Sequence, residues 1–383
     1  MISASSIELS ESAYFNNLDL IEKWAGKKST IFLVVKGNAY GHGINQIVPM
    51  AMKYGISKFA VFNYSEAIEV ENASDGKAEI MVMGYIAEND YCEAIQKEIS
   101  FFVFNHIQLN QVLIAAETIN KAAKIHLEFN TGMNRSGFDP SIARQLFELV
   151  KANPQYIQLT GICSHLAGAE SIANYVRIKN QVKVFRSIEK LSKTMNVLPQ
   201  YFHLACSAAM VRFPSIRYDL VRVGIIQYGL WPSMEVFIEY LNKKKTTADP
   251  LKRIISWKTK IMDIQQIKSG QYIGYGNSFL ANKNIKSAVL PIGYSHGYSR
   301  VLSNSGNVIV NNMKVKVIGT INMNATTIDV TDVPQINIGD NVYLIGGEGD
   351  LQISISSFAE MSDQLNYELL TRLPKDLPRT IIA

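Results

Sequence analysis

The sequence predicts an α/β architecture: an N-terminal (β/α)8 TIM barrel over residues 1–240, then a mostly β C-terminal domain over residues 241–383. Three observations lead there. Eight short runs rich in branched and aromatic residues recur across the first 230 residues. Stretches with helical spacing separate most of them. After about residue 235 that alternation stops, and strand-like runs follow one another with turns between.

The eight runs are Ile31–Lys36, Lys58–Asn63, Glu79–Gly84, Ser100–Asn105, Lys124–Asn130, Gln158–His165, Phe202–Ser207 and Leu220–Ile225. Each has the length and composition of a strand. Between them, apolar residues recur at helical intervals, as in Val112, Ala116, Ile119 and Ala123, or Ala143, Leu146, Leu149 and Val150. Strands alternating with helices imply parallel neighbours, which need crossovers, and eight such units close a barrel. The runs end on polar or small residues: Lys36, Asn63, Gly84, Asn105, Asn130, His165 and Ser207. Chemistry in a barrel sits at this carboxyl rim. For Asn63 and Asn105 the plainer reading, a turn at a strand end, is preferred.

In the second domain, Ile254–Ile264, Ser287–Pro291, Val308–Val317, Thr326–Val330 and Asn341–Ile345 read as strands, and Ser356–Leu365 as a helix. The junction falls near Trp231–Lys245. Residues 1–9, with Ile7 and Leu9, read as a strand whose partner the sequence leaves open, the second domain included.

Composition narrows the class of function. Hydrophobic residues make up 47% and charged residues 19%, too apolar for a disordered chain. The longest apolar runs, such as Ile31–Val35 and Ala288–Ile292, fall far short of a membrane span. The net charge of +5 is dispersed, with no basic block of the kind that binds nucleic acid. Acids precede the first basic residue, Lys23, so no secretory signal is expected. Cys92, Cys163 and Cys206 form neither a disulfide framework nor a zinc pattern. No metal is expected, and a reducing cytoplasm is.

The most informative segment is Val34–Gly43, Val-Val-Lys-Gly-Asn-Ala-Tyr-Gly-His-Gly. A lysine at the end of an apolar strand is costly to bury without a partner or a task. One task is Schiff-base formation, since a desolvated lysine has a lowered pKa. The plain alternative is a lysine reaching out into water.

This decamer resembles the pyridoxal-phosphate lysine segment of alanine racemases, and further segments resemble that family in order. They include His126–Gly137, Ile162–His165, His203–Ala209 and Val221–Gly229 in the barrel. In the β domain they are Ile273–Gly276, Leu290–Tyr294, Gly297–Arg300 and Asn366–Arg372. The resemblance spans roughly residues 7 to 380.

It implies a pyridoxal 5'-phosphate enzyme, an isomerase that interconverts L- and D-alanine for D-alanine biosynthesis, working as a homodimer with shared sites. Lys36 would carry the cofactor and act as one of two bases. Tyr275, from a second subunit, would be the other. Racemisation removes a proton from one face of Cα and returns it on the other, so two opposed bases suffice. An unperturbed tyrosine, with a pKa of about 10, is a poor base, and the family sets His165 and Arg222 behind it. By itself Tyr275 reads as a turn residue between Gly274 and Gly276.

The resemblance gives Arg222 the ring nitrogen. An arginine donates there and keeps its own charge, leaving the ring a weaker electron sink than a carboxylate partner would. The plain alternative is a salt bridge to Asp219. Phosphate contacts implied are Tyr40, Ser207, the backbone of Gly224 and Ile225, and Tyr367. Arg135 would meet the phenolic oxygen and the substrate, with Cys206 beside the cofactor. Met323 would offer its N–H to the substrate carboxylate, near Tyr294 and Asn324.

Four departures from the family pattern stand out. Glu128 occupies the position of a carbamylated lysine and is expected to meet Arg135, directly or through water. Asn324 replaces an aspartate, Cys206 an asparagine, and Thr320 an entryway arginine. Most of these lie at the substrate door, so a broad-specificity or serine racemase is the first alternative to alanine. A decarboxylase of similar architecture fits less well, because no cysteine follows Cys206. From a different class comes a non-catalytic pyridoxal-phosphate carrier, a lone barrel with no use for a second base.

Overall fold

A computed structural model describes residues 5–348, 351–354 and 366–383. The chain divides into two compact units. One comprises Ala13–Ala39 and Ile47–Lys252, the other Met1–Ser12, Tyr40–Gln46 and Arg253–Ala383.

Eight parallel strands build the first unit: Thr30–Val34, Lys58–Val61, Glu79–Val82, Ser100–Val103, Ala123–Glu128, Ile157–Cys163, Tyr201–His203 and Leu220–Val223. Each pairs with the next in chain order as far as Tyr201–His203, and Leu220–Val223 returns to pair with Thr30–Val34. At the remaining seam, Asp219 N donates to Phe202 O (3.1 Å) and Arg222 N to Ala205 O (3.0 Å). The sheet is therefore a nearly closed barrel. Its strands are apolar on consecutive residues, such as Phe32, Leu33 and Val34, because helices cover the outer face and side chains fill the inner one.

Every run predicted as a barrel strand overlaps one, but the strands stop short of the polar residues at their ends. Asn63, Asn105 and Ser207 open the next helix instead. Asn63 and Asn105 cap helices Tyr64–Ala73 and His106–Thr118, accepting from Glu66 N (2.9 Å) and Gln108 N (2.8 Å). Helix Met234–Lys244, capped by Ser233, runs across the 240/241 boundary read from the sequence, and the division falls after it, at Lys252.

The second unit is built on a seven-stranded sheet. Six strands follow in the order Met313–Lys316, Asn307–Val310, Asn341–Glu348, Ile255–Lys260, Ser6–Ser10 and Arg379–Ile382, with Leu351–Ile353 paired to Asn341–Glu348. Ser6–Ser10 alternates, burying Ile7 and Leu9 completely, and pairs on both edges. Asp263–Ile267, Ile285–Leu290 and Thr326–Asp329 form a separate three-stranded sheet. Two predicted strands are thus divided. Ile254–Ile264 breaks where Ile261 N turns to Asp340 O (3.0 Å) and Met262 N to Val289 O (2.8 Å). Val308–Val317 is a hairpin whose turn, Asn311 and Asn312, has positive φ at both residues (46° and 58°), the geometry a two-residue hairpin loop demands. The predicted helix Ser356–Leu365 lies outside the described residues. Among those described, no helix is long and apolar enough to cross a membrane.

Candidate active site

Lys36 leaves the first barrel strand just after Val35 N bonds Ala60 O (2.9 Å). The backbone then enters the left-handed region and stays there: φ is 62° at Gly37, 53° at Asn38 and Ala39, 52° at Tyr40 and 80° at Gly41. Non-glycine residues pay about 1–2 kcal/mol each for this conformation, so the surroundings must enforce it. At the far end Arg379 does so, donating from Nε (3.0 Å) and Nη2 (2.9 Å) to Gly41 O. A Cβ on Gly41 would lie 1.8 Å from Leu370 O, so only glycine fits there. At the near end Glu66 accepts from Gly37 N (2.6 Å).

The Lys36 side chain reaches solvent at the rim, yet protein crowds it closely enough for desolvation to lower its pKa. The Arg135 charge adds to that depression and Glu66 opposes it. An amine so placed is more nucleophilic at neutral pH than an ordinary lysine.

Arg222, on the last barrel strand, is 4% exposed. Its Nη2 donates to Ser164 O (2.9 Å) and more distantly to Leu204 O (3.4 Å) and His165 Nδ1 (3.5 Å). Nη1 bonds His203 Nδ1, and the Phe102 ring lies 5.9 Å from the guanidinium carbon. Nε has no hydrogen bond among the described residues. The alternative of an ion pair with Asp219 is not formed, because that carboxylate accepts from Phe202 N instead (2.8 Å).

The arginine fixes its neighbours' protons. A guanidinium only donates, so His203 Nδ1 must accept and its proton sits on Nε2. That nitrogen is 3.0 Å from His126 Nδ1, which accepts in turn and leaves the His126 proton on a buried Nε2 with no partner among the described residues. Burial, then the Arg222 charge, lowers the pKa of His126 to about 3 and that of His203 well below its usual value. Both rings are neutral at pH 7. His165, half-buried, is lowered to about 3 by burial first, then by Arg222, Arg135 and Lys36.

Glu128 is buried, not turned to solvent. Burial raises its pKa, against the lowering effects of a Ser136 hydrogen bond and the Arg222 and Arg135 charges. Of the two ways in which Glu128 was expected to meet Arg135, directly or through water, the direct one is not formed: the short glutamate meets Ser136, while Arg135 is exposed and makes no ion pair among the described residues.

Ser207 opens helix Ser207–Arg212, and its Oγ accepts from Gly224 N (2.9 Å), leaving the hydroxyl proton free to donate. Ile225 starts the turn that follows. Cys206, just before Ser207, is a half-buried thiol whose pKa burial raises, so it carries no charge. Lys36, Arg135, His165, Cys206, Ser207, Arg222, Gly224 and Ile225 thus all belong to the barrel unit.

The remaining candidates lie on the second unit. Tyr275 is 75% exposed between two positive-φ glycines, Gly274 and Gly276. Thr320 Oγ1 meets Tyr275 O (3.4 Å) and Ser278 Oγ (2.9 Å). Tyr294 N and Ser295 N donate to Asn322 O (3.1 Å) and Met323 O (3.0 Å), and Asn324 Nδ2 to Ser295 Oγ (3.2 Å). These contacts knit the loops of Tyr275, Tyr294 and Met323 together with all three side chains exposed. Tyr40 is half-buried in the same unit. Tyr367 lies on helix Asn366–Thr371, but its side chain is outside the described residues.

Sequence reasoning gave no role to His126, His203 or Glu66. For the first, a signal existed: His126 and Glu128 are two apart on one strand and so point to the same side. Among the described residues no group of three or more His, Cys, Asp or Glu side chains is placed to hold a metal.

Comparison with known proteins gives the site its context. Residues 9–232 match the family model for the alanine racemase N-terminal domain and residues 254–381 that for its C-terminal domain. An alanine racemase of Leptospira interrogans is 34% identical over 381 residues, covering 99% of this chain and 96% of its own. One from Methanococcus maripaludis is 32% identical over 374 residues, 97% of each chain. Among solved structures, alanine racemase from Clostridium difficile 630 superposes with a TM-score of 0.90 at 26% identity, covering 100% of this chain and 96% of that one. The Bacillus anthracis enzyme, solved with bound L-Ala-P, gives 0.89 at 28% identity with the same coverage. By two adjoining family matches and near full-length relatives, the chain belongs to the alanine racemase family.

Proposed function

We propose that this protein racemises alanine with pyridoxal 5'-phosphate as cofactor, in the cytoplasm, as a homodimer whose sites are shared between subunits. The observation that carries the reading is Arg222: a permanently charged donor, fixed on two corners by His203 and Ser164, with its Nε–H unpaired among the described residues. That corner suits a ring nitrogen that accepts but is not protonated.

The other residues fit the same group. Ser207 offers a hydroxyl proton beside Gly224 and Ile225, suited to a phosphate, with Tyr40 and Tyr367 as further family contacts. The neutral Cys206 thiol adds no charge next to it. When bound, pyridoxal phosphate supplies an aldehyde for amine exchange and a ring that draws electron density from the substrate Cα.

The chain's own residues do the rest. Lys36, its pKa lowered, takes the Cα proton on one face as a neutral amine. Tyr275 of the partner subunit serves the opposite face, and reversal of the two roles gives the opposite enantiomer. Arg222 holds a positive charge and His165 a neutral ring near that path. Arg135, exposed and without an ion pair among the described residues, takes the phenolic oxygen and the substrate carboxylate. Met323 N–H, which has no partner among the described residues, meets that carboxylate too, with Tyr294 and Asn324 closing the door. The exposed cluster of Tyr275, Tyr294 and Met323 supports a partner, since clustered apolar side chains mark interaction sites.

A broad-specificity or serine racemase is favoured by one feature: Asn324 and Thr320 are short, neutral and turned to Ser295 and Ser278, so no charge screens a polar substrate side chain. The carrier reading is disfavoured, because the second family match covers a β domain that a lone barrel lacks. An absorbance spectrum, borohydride reduction with peptide mapping, and a D/L assay over several amino acids test the proposal together. Label on Lys36 and fastest turnover of alanine are expected. An unlabelled Lys36 would sink it, and faster turnover of serine would replace the substrate.

A further inference from the structure

Two barrel helices begin with the same device. Asn63-Tyr-Ser-Glu66 opens one and Asn105-His-Ile-Gln108 the other. In each, the asparagine side chain caps the helix and the residue three further on reaches back to the backbone N–H before the asparagine. Phe62 N donates to Glu66 Oε2 (2.9 Å), and Phe104 N to Gln108 Oε1 (3.0 Å).

The second arms differ. Gln108 turns its amide back on its own strand, donating from Nε2 to Phe102 O (2.8 Å). Glu66 instead reaches to the neighbouring strand end, where Oε1 accepts from Gly37 N at 2.6 Å. Gly37 follows Lys36 and is the first residue of the left-handed run. The paired strands Thr30–Val34 and Lys58–Val61 still share a bond at Val35 N to Ala60 O, and beyond it their two chain ends both turn to this carboxylate.

A carboxylate accepts with both oxygens, whereas a glutamine accepts with one and would set its NH2 against the Gly37 N–H. The capping function alone is served by glutamine, as Gln108 demonstrates. The acid at 66 is needed only on the Lys36 side. We propose that Glu66 is a positioning residue for Lys36, tying Gly37 N–H to Phe62 N–H and so fixing how the lysine leaves the rim. Its negative charge opposes that of Arg135 at the amine, so losing the charge alone would favour the neutral amine, and slowed labelling reads position rather than charge. The role in catalysis rests on Lys36 being the cofactor lysine.

The test compares full-length wild type, Glu66→Gln, Glu66→Asp and Gln108→Ala. Amide exchange at Gly37, thermal midpoint, and the rate of Lys36 labelling by added pyridoxal phosphate and borohydride are followed. Glu66→Gln is expected to speed Gly37 exchange and slow labelling by about tenfold, a hydrogen bond to a charged group being lost. Phe62 stays protected. Glu66→Asp keeps the charge but is a methylene too short to span both N–H groups, and should behave like Glu66→Gln. Gln108→Ala should lower the thermal midpoint and leave labelling alone. Unchanged Gly37 exchange or unchanged labelling in Glu66→Gln overturns the proposal, as does wild-type behaviour of Glu66→Asp or an equal loss of labelling in Gln108→Ala. A wild type unlabelled at Lys36 overturns the parent reading and this role with it.

Discussion

The barrel rim and the β-domain loops carry the two halves of one proposed chemistry, and they are built in opposite ways. At the rim, Arg222 is 4% exposed and locked by His203, Ser164 and the Phe102 ring. Its orientation is set before anything binds, which is how a fixed charge acts most strongly. Tyr275 is 75% exposed, and the contacts of its loop are made by its backbone and by Thr320. The phenol itself is left for another surface to orient. On the proposed reading, one half is complete within the chain and a partner subunit completes the other.

Removing the phenol should break the comparison most sharply. Tyr275→Phe is expected to cut racemisation by about 10²–10⁴, the range for a lost acid–base group. Borohydride labelling at Lys36 should be unchanged. Stability should move by less than about 0.5 kcal/mol, since the side chain is mostly in water. Turnover, labelling and a urea midpoint measured on one preparation decide it. Near-normal turnover would place the second base elsewhere.

On the barrel side the matching change is Gly161→Ala. A Cβ there would stand 2.0 Å from His126 Nδ1 and 2.8 Å from its Cγ, so the ring must move. His126 is fully buried and its Nδ1 holds the His203 proton, so the disturbance runs along the line that orients Arg222. Overpacking of this kind costs about 1–3 kcal/mol. A lowered urea midpoint with a weakened absorbance from bound pyridoxal phosphate is expected. A Gly161→Ala protein as stable as wild type would show that the histidine pair is not rigid.

What the sequence made legible follows the same divide. The barrel strands were visible because parallel strands covered on both faces are apolar on consecutive residues, as Phe32 to Val34 are. Lys36 stood out as a charge at the end of such a run, and Arg222, inside the last run, was picked out by the resemblance. The histidine pair was harder to see, because His126 and His203 lie 77 residues apart and meet only when the barrel curls. Glu66 was hidden by its ordinary task, since any N-cap box contains such a residue. In the β domain, strand limits misled at Ile261 and Asn311, where the chain changes partner or reverses without a proline or glycine to mark it. Tyr275 had no local signal beyond its two glycines, and only the ordered resemblance drew attention to it.

The smallest predicted effect concerns acid. His126 has a folded pKa of about 3 against roughly 6.5 in an unfolded chain. Above about pH 6.5 the ring is neutral in both states and contributes nothing. As pH falls below that, the unfolded chain takes up a proton that the native barrel refuses. Native stability is then lost at up to about 1.4 kcal/mol per pH unit for this histidine, until the folded pKa is reached. Glu128 works the other way, because burial raises its pKa and the native state binds its proton first. Comparing wild type with His126→Asn cancels that opposing contribution, and asparagine keeps a side-chain acceptor for His203. Urea midpoints from about pH 7 down to about pH 4 should fall less steeply in the variant. Parallel lines would mean that water or a rearranged neighbour charges this ring at little cost, and the contrast between a locked rim and an open loop would then weaken on the barrel side.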